Sequence, residues 1–300
     1  MLTARTEALH ASAGGLDARP LAEAAALLAE GQAAAARAVQ EAAPEIAVAA
    51  AAMAQTIRTG GMLHYTAAGS SGLMAAADAQ ELGGTFSIPA AQLRIHMAGG
   101  LPDGVEMPGG TEDDTGGLAA ALSDLTPRDT MIAVSASGTT PFTLAAIALA
   151  RATGATVVGI ANNADCPLLA QSDHPIHLAT PPELLSGSTR MGAGTAQKIA
   201  LNMLSTLMAM DLGHVHDGMM VNLRADNIKL RARAAGMVAR IADVDEAAAR
   251  AALDTTEGQV KTAVLVALGR APDAAHALLR ETEGNLRAAL ARLNETIQRE

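Results

Sequence analysis

Three short stretches bring together the residue types that bind oxyanions. They are Gly69-Ser70-Ser71-Gly72, Ser135-Ala136-Ser137-Gly138-Thr139-Thr140 and Ser186-Gly187-Ser188-Thr189. Glycine lets a backbone N–H approach an anion closely, hydroxyls add donors, and a helix that starts there adds partial positive charge. One such loop is an ordinary turn. Three of them, with Arg190 and Lys198 following the third, are better explained by a phosphate pocket. Two glutamates stand beside these loops. Glu81 closes the helix that the first loop opens, and Glu112 follows a Gly/Pro-rich stretch. A positioned carboxylate can remove a proton α to a carbonyl or return one to a leaving oxygen. An acid taken alone is more often solvated or a cap, and Asp113 and Asp114 fit that reading.

Other chemistries find no support. There is no G-x-x-x-x-G-K-[ST] sequence, and no G-x-G-x-x-G follows the first strand. The histidine pairs His214/His216 and His174/His177 lack a zinc frame, and Cys166 is the only cysteine. Metal binding and disulfides are therefore not expected. Lys and Arg total 21 against 31 Asp and Glu, a net charge of −10. With Tyr65, Phe86 and Phe142 as the only aromatics, neither phosphate tracking nor base stacking on a nucleic acid is supported. The N-terminus has no apolar core of signal-peptide length, and the run Ile46–Ile57 is too short to span a bilayer. A soluble cytoplasmic protein is the expectation.

The elements that must position these loops follow from punctuation and periodicity. Residues 20–59 read as two helices, with Pro20 and Pro44 at their starts and Gly60-Gly61 at the end. Strands are predicted at Met62–Ala68, Leu93–Ala98, Thr130–Ser135, Thr156–Ala161 and Pro175–Ala179, alternating with Ala-rich helices. This alternation predicts an α/β fold with a five-stranded parallel sheet flanked by helices. Ligands in such sheets bind at the carboxyl ends of strands, where the first two loops fall. After Arg190 the strand signals fade. A long helix is expected to Asp211, then a C-terminal helical subdomain in which Thr256-Glu257-Gly258 recurs as Thr282-Glu283-Gly284. The expected division is residues 1–60 as an N-terminal helical segment, 61–235 as the α/β domain carrying the phosphate loops and 236–300 as the helical subdomain.

The motifs resemble those of the N-acetylmuramic acid 6-phosphate etherases, within the sugar isomerase (SIS) group of phosphosugar proteins. The family's first-loop pattern, ending in D-A-A-E-x-x-x-T-F, is similar to Ala67–Leu73 with Asp78, Glu81, Thr85 and Phe86. Its G-A-E-D-D and A-S-G-R-T-P-Y segments are similar to Gly110–Asp114 and Ala136–Phe142. The longest match runs from Ser186 to Lys198 and on to Thr206, and R-A-T-N-E-K-L is similar to Arg224–Leu230.

The resemblance implies a cofactor-independent lyase. One glutamate would take the C2 proton of an open-chain sugar phosphate, the lactyl ether would leave from C3, and water would add. The family's acid/base pair falls on Glu81 and Glu112. The binding set falls on Ser70, Ser71, Ser137, Thr139, Thr140, Ser186, Ser188, Thr189, Arg190 and Lys198, with Asn227 and Lys229 reaching a neighbour's pocket in a homodimer. Four family cations are replaced, by Leu9, Leu73, Thr139 and Gly192. An isomerase or lyase acting on another sugar phosphate, and a sensor without turnover, are the alternatives that these losses leave open.

Overall fold

The computed structural model describes residues 4–107, 109–225 and 227–297. The chain forms two compact units, one running to Gln80 and including Ala91–Ser205, the other comprising Glu81–Ala90 and the residues from Thr206 onward.

The first unit begins with α1 (Leu21–Ala38) and α2 (Ala43–Arg58), joined by a 3-10 turn, with Pro44 in the first turn of α2. The chain then alternates through β1 (Leu63–Ala67), α3 (Gly69–Phe86), β2 (Leu93–Met97), α4 (Leu118–Ala121), β3 (Thr130–Val134), α5 (Pro141–Thr153), β4 (Thr156–Ala161), α6 (Pro167–Ala170), β5 (His174–His177) and α7 (Gly192–Asp211). The five strands form one sheet in the order β2-β1-β3-β4-β5, parallel throughout, as expected. Every residue of β1 and β3 is buried, the burial required of a parallel sheet covered on both faces. One face carries Met131 and Ala133 against Phe142, Ala146, Ile147 and Ala150 of α5. On the other, Tyr65 of β1 bonds to Asp78 of α3. The fifth strand starts and ends one to two residues earlier than predicted, because the edge position admits His174 and His177 where a buried strand would need apolar residues.

Register puts His64 of β1 and His96 of β2 on the face shared with Met131. Their rings stack with centroids 5.3 Å apart, and His64 Nδ1 lies 3.0 Å from His96 Nε2. Burial lowers the pKa of both, that of His96 to about 4. They are neutral packing groups at pH 7, and one ring must present N–H to the other's lone pair.

The second unit contains a hairpin, β6 (Val215–His216) and β7 (Met219–Met220), then α8 (Ile228–Ala242), α9 (Glu246–Thr255), α10 (Val260–Ala267), α11 (Pro272–Glu281) and α12 (Leu286–Ile297). The hairpin was not expected, although Asp217-Gly218 is a strong turn signal and both residues have positive φ, 45° and 74°. The repeat has one geometry in both copies. Thr256 and Thr282 each donate their hydroxyl to the carbonyl four residues back, Ala252 and Leu278, both at 2.9 Å. The following Glu and Gly both take positive φ, and the Gly N–H bonds back to Leu253 or Leu279. The repeated turns align α9–α12 around Val264, Leu265, Ala275, Leu286 and Ala289. No helix among the described residues is long and apolar enough to cross a membrane.

Candidate functional site

Strand order reverses between β1 and β3. The helices that follow them, α3 and α5, depart on opposite faces and leave a crevice at the strand ends. Glu112 is exposed and touches the starts of both helices. Its backbone carbonyl accepts the N–H of Phe142 in the first turn of α5 (3.0 Å). Its carboxylate lies against Gly69, at the first turn of α3, so closely that a Cβ on Gly69 would stand 2.8 Å from Oε1. Gly69 also has φ of +54°. The glycine therefore permits the approach, and one residue is tied to the starts of both helices. Ser70 and Ser71 occupy the same first turn of α3, Ser71 buried and Ser70 half-buried.

The loop after β3 is organised by its own hydroxyls. Ser135 Oγ accepts the N–H of Gly138 (3.0 Å) and lies 2.8 Å from Thr140 Oγ1 and 3.3 Å from Ser137 Oγ. Ser137 Oγ in turn accepts the N–H and the hydroxyl of Thr139. Gly138, with φ of +72°, passes directly over Cys166: a Cβ there would lie 2.2 Å from Sγ. Burial pushes the Cys166 thiol pKa up. Ser137 and Thr139 line a cavity of about 450 Å³ with Arg5, Thr6, Asn163 and His177. Asn163 ties its walls together, donating to Thr6 Oγ1 (3.2 Å) and to the carbonyl of Ser137 (3.1 Å) and accepting the N–H of Thr6 (3.2 Å).

The third loop joins the same wall. Ser186 donates to the carbonyl of Glu7 (3.1 Å), next to Thr6. Ser188 and Thr189 are half-buried and Arg190 is exposed. The helix start behind this loop is already occupied. Glu183, 6% exposed, accepts the N–H groups of Gly192 (2.9 Å) and Ala193 (2.8 Å) at the beginning of α7. An anion at this loop must therefore be held by hydroxyls and Arg190. Gly192 is closely surrounded: a Cβ there would meet Glu183 Oε2 at 3.1 Å and the Ala35 methyl at 3.2 Å.

Lys198 projects from α7 and donates to Asn202 Oδ1 at 2.5 Å. Asn202 and Ser205 both donate to Asp78 Oδ1 (3.1 and 2.9 Å), and Tyr65 donates to Oδ2 (3.1 Å). Burial, and Asp78 beside it, push the Tyr65 pKa well above 10, so the phenol stays a donor. Glu81 lies three residues further along α3 and is exposed; the helix does not close there as expected but runs on to Phe86. In the second unit, Asn227 caps α8 by accepting the N–H of Leu230 (2.9 Å), and Lys229 is exposed two residues on.

The structure thus brings Glu112 to the first loop, and Ser137, Thr139 and Ser186 to the N-terminal segment. Arg5, Thr6, Asn163 and Glu183 were not among the candidate site residues predicted from sequence, and His177 was weighed there only as a metal ligand. Asn163, directly after β4, had the strand-end position as a signal. The others had none.

The SIS domain family matches residues 26–162. An N-acetylmuramic acid 6-phosphate etherase of Streptomyces avermitilis is 42% identical over 96% of this chain and 94% of its own length. One from Deinococcus radiodurans is 43% identical over 95% of both. A phosphoheptose isomerase structure from Francisella tularensis aligns with 64% of this chain and 100% of its own, at 17% identity and a TM-score of 0.45. With more than 40% identity sustained over almost the full length of both sequences, the chain belongs to the N-acetylmuramic acid 6-phosphate etherase family.

Proposed function

We propose that the protein cleaves the D-lactyl ether of N-acetylmuramic acid 6-phosphate, giving N-acetylglucosamine 6-phosphate and D-lactate. The observation that carries this reading is Glu112, whose carboxylate rests at the first hydroxyl loop while its backbone anchors the start of α5. In the open-chain sugar, the C1 aldehyde acidifies the C2 proton. Glu81 takes that proton, the C3–O bond breaks with its electrons going to the lactyl oxygen, and Glu112 supplies the proton to that oxygen. Water then adds to the resulting C2=C3 bond at C3, and C2 regains a proton. Each acid does proton transfer, so neither a metal nor a nucleotide enters the scheme.

The phosphate is assigned to Ser70, Ser71, Ser137, Thr139, Thr140, Ser186, Ser188 and Thr189, with Arg190 and Lys198 supplying charge. Arg5 lines the cavity beside Thr139, where the family pattern has an arginine, and is the guanidinium placed to meet a second anion. We assign residues 1–60, 61–235 and 236–300 as the functional divisions. Incubation with N-acetylmuramic acid 6-phosphate should release D-lactate and N-acetylglucosamine 6-phosphate in equal amounts, read by coupled lactate oxidation and mass spectrometry. Binding without release would make the protein a sensor, and a ketose product would make it an isomerase. An analogue lacking the lactyl carboxylate separates the roles of the lost cations. A hundredfold lower kcat/KM for the analogue, about 2.7 kcal/mol, means the pocket still recognises lactate. Near-equal values mean the pocket has turned to another substrate.

The enzyme is assigned to the cytoplasm as a homodimer in which Asn227 and Lys229 reach the partner's pocket. Exposed Leu9 in the N-terminal segment, Leu21 on α1 and Val48 on α2 (78%, 88% and 58%) leave apolar area for a second copy to cover. Sedimentation equilibrium should give twice the chain mass at micromolar concentration. A monomer with full activity overturns the assignment.

A further inference from the structure

The C-terminal unit contains a cavity of about 540 Å³ that shares no lining residue with the site around Glu112. Three cations border it, Arg224, Lys261 and Arg280, against one acid, Glu257, and His276 stands with them. That balance runs against a chain whose net charge is −10. The two arginines are exposed and, among the described residues, make no ion pair. Elsewhere in the chain Arg37, Arg250, Arg287 and Arg292 each meet an acid.

Lys261 is held differently. Its Nζ donates to the carbonyls of Gly284 (2.8 Å) and Gly213 (3.3 Å), which uses two of the three ammonium protons. Both carbonyls belong to turn glycines with positive φ, Gly284 in the second repeat turn and Gly213 just after α7, and together these turns fix the ammonium at the cavity wall. Burial, with no acid to offset it, lowers the Lys261 pKa to about 8. A half-buried ammonium facing carbonyl dipoles alone is incompletely compensated, and an anion would complete it.

We propose that this cavity is a second ligand site, for a small phosphomonoester whose phosphate is gripped by Arg224, Arg280 and Lys261. Three cations less one acid leave two positive charges, which match the charge of a phosphomonoester near neutral pH. Planar guanidinium forks suit its oxygens. The body of the ligand meets polar groups: Gln259 accepts the hydroxyl of Thr262 through Oε1 (3.2 Å) and keeps its N–H donors for ligand hydroxyls. Buried Val221 and Leu279 form an apolar wall. The site is independent of the etherase reading and fits an effector of the same chemical class as a sugar phosphate.

The chain has three lysines, Lys198, Lys229 and Lys261, so a lysine 13Cε NMR spectrum of the full chain carries one reporter beside the substrate loops and one in this cavity. Titration with inorganic phosphate, and then with glucose 6-phosphate, should move the Lys261 resonance saturably and raise its titration midpoint above about 8. Arg224→Gln with Arg280→Gln should weaken that response by roughly tenfold or more, the loss of about 1.4 kcal/mol or more, while the melting temperature holds, since both side chains are exposed. A tighter response to glucose 6-phosphate than to phosphate identifies an organic ligand, and equal responses identify phosphate itself. The proposal is overturned if only Lys198 responds, if chloride at equal ionic strength reproduces the Lys261 shift, or if the double variant binds like the wild type.

Discussion

Glu81→Gln is expected to lower exchange of the substrate's C2 proton with solvent by roughly 10²–10⁴-fold, the usual contribution of a positioned general base. Binding of the sugar phosphate should survive, because the change removes a basic oxygen and keeps the shape. Glu81 is exposed on α3, so the amide meets no buried neighbour and the fold is not at risk. Deuterium incorporation at C2, followed by proton NMR in heavy water, reads the step without requiring lactate to leave. Glu112→Gln separates the two acids. It should leave more exchange than Glu81→Gln while blocking lactate release, because its carboxyl group is assigned to the leaving oxygen. If Glu112→Gln abolishes exchange and Glu81→Gln does not, the two roles are reversed. Exchange near the wild-type rate in both variants removes these glutamates from the chemistry.

Asp78→Ala should cost about 1–3 kcal/mol of stability, the range for leaving a buried hydrogen-bond donor without its acceptor. Asp78 is 5% exposed and accepts from Tyr65, Asn202 and Ser205. Removing it strands the phenol of Tyr65, which is 1% exposed, inside the sheet–helix interface. Tyr65→Phe should cost only about 1 kcal/mol, since it deletes a donor and leaves the carboxylate its other partners. Urea denaturation midpoints at constant m-value give both numbers. A loss under about 1 kcal/mol for Asp78→Ala would mean that water replaces the carboxylate and that the network does not fix α3 against α7. The same network reaches Lys198 through Asn202, so the alanine variant should also weaken phosphate binding.

The sheet was legible because its signals are local. Short apolar runs ended in Gly/Ser turns at β1 and β3, and the alternation with Ala-rich helices left a parallel sheet as the economical arrangement. The loops on those strand ends were legible for the same reason. What escaped was non-local. Thr6 meets Asn163 across 157 residues and Ser186 meets Glu7 across 179, contacts that no spacing rule encodes. Glu183 reads as an unremarkable acid after two prolines, yet its carboxylate occupies the start of α7. That single bond pair changes the third loop from a helix-terminus anion site into a set of hydroxyls. The hairpin at Asp217-Gly218 was missed for a different reason, since two-residue strands are too short for alternation to register.

The packing of Gly138 on Cys166 makes the chain's single thiol a reporter on the cavity beside that loop. Cys166 is 5% exposed and lines the same cavity as Ser137 and Thr139, so a reagent approaches the sulfur through that cavity. The raised thiol pKa keeps the nucleophile protonated at neutral pH, so alkylation is slow enough to register whether the cavity is filled. A molecule seated against Ser137 and Thr139 would close that approach, and its residence would be written in the lifetime of an unmodified cysteine.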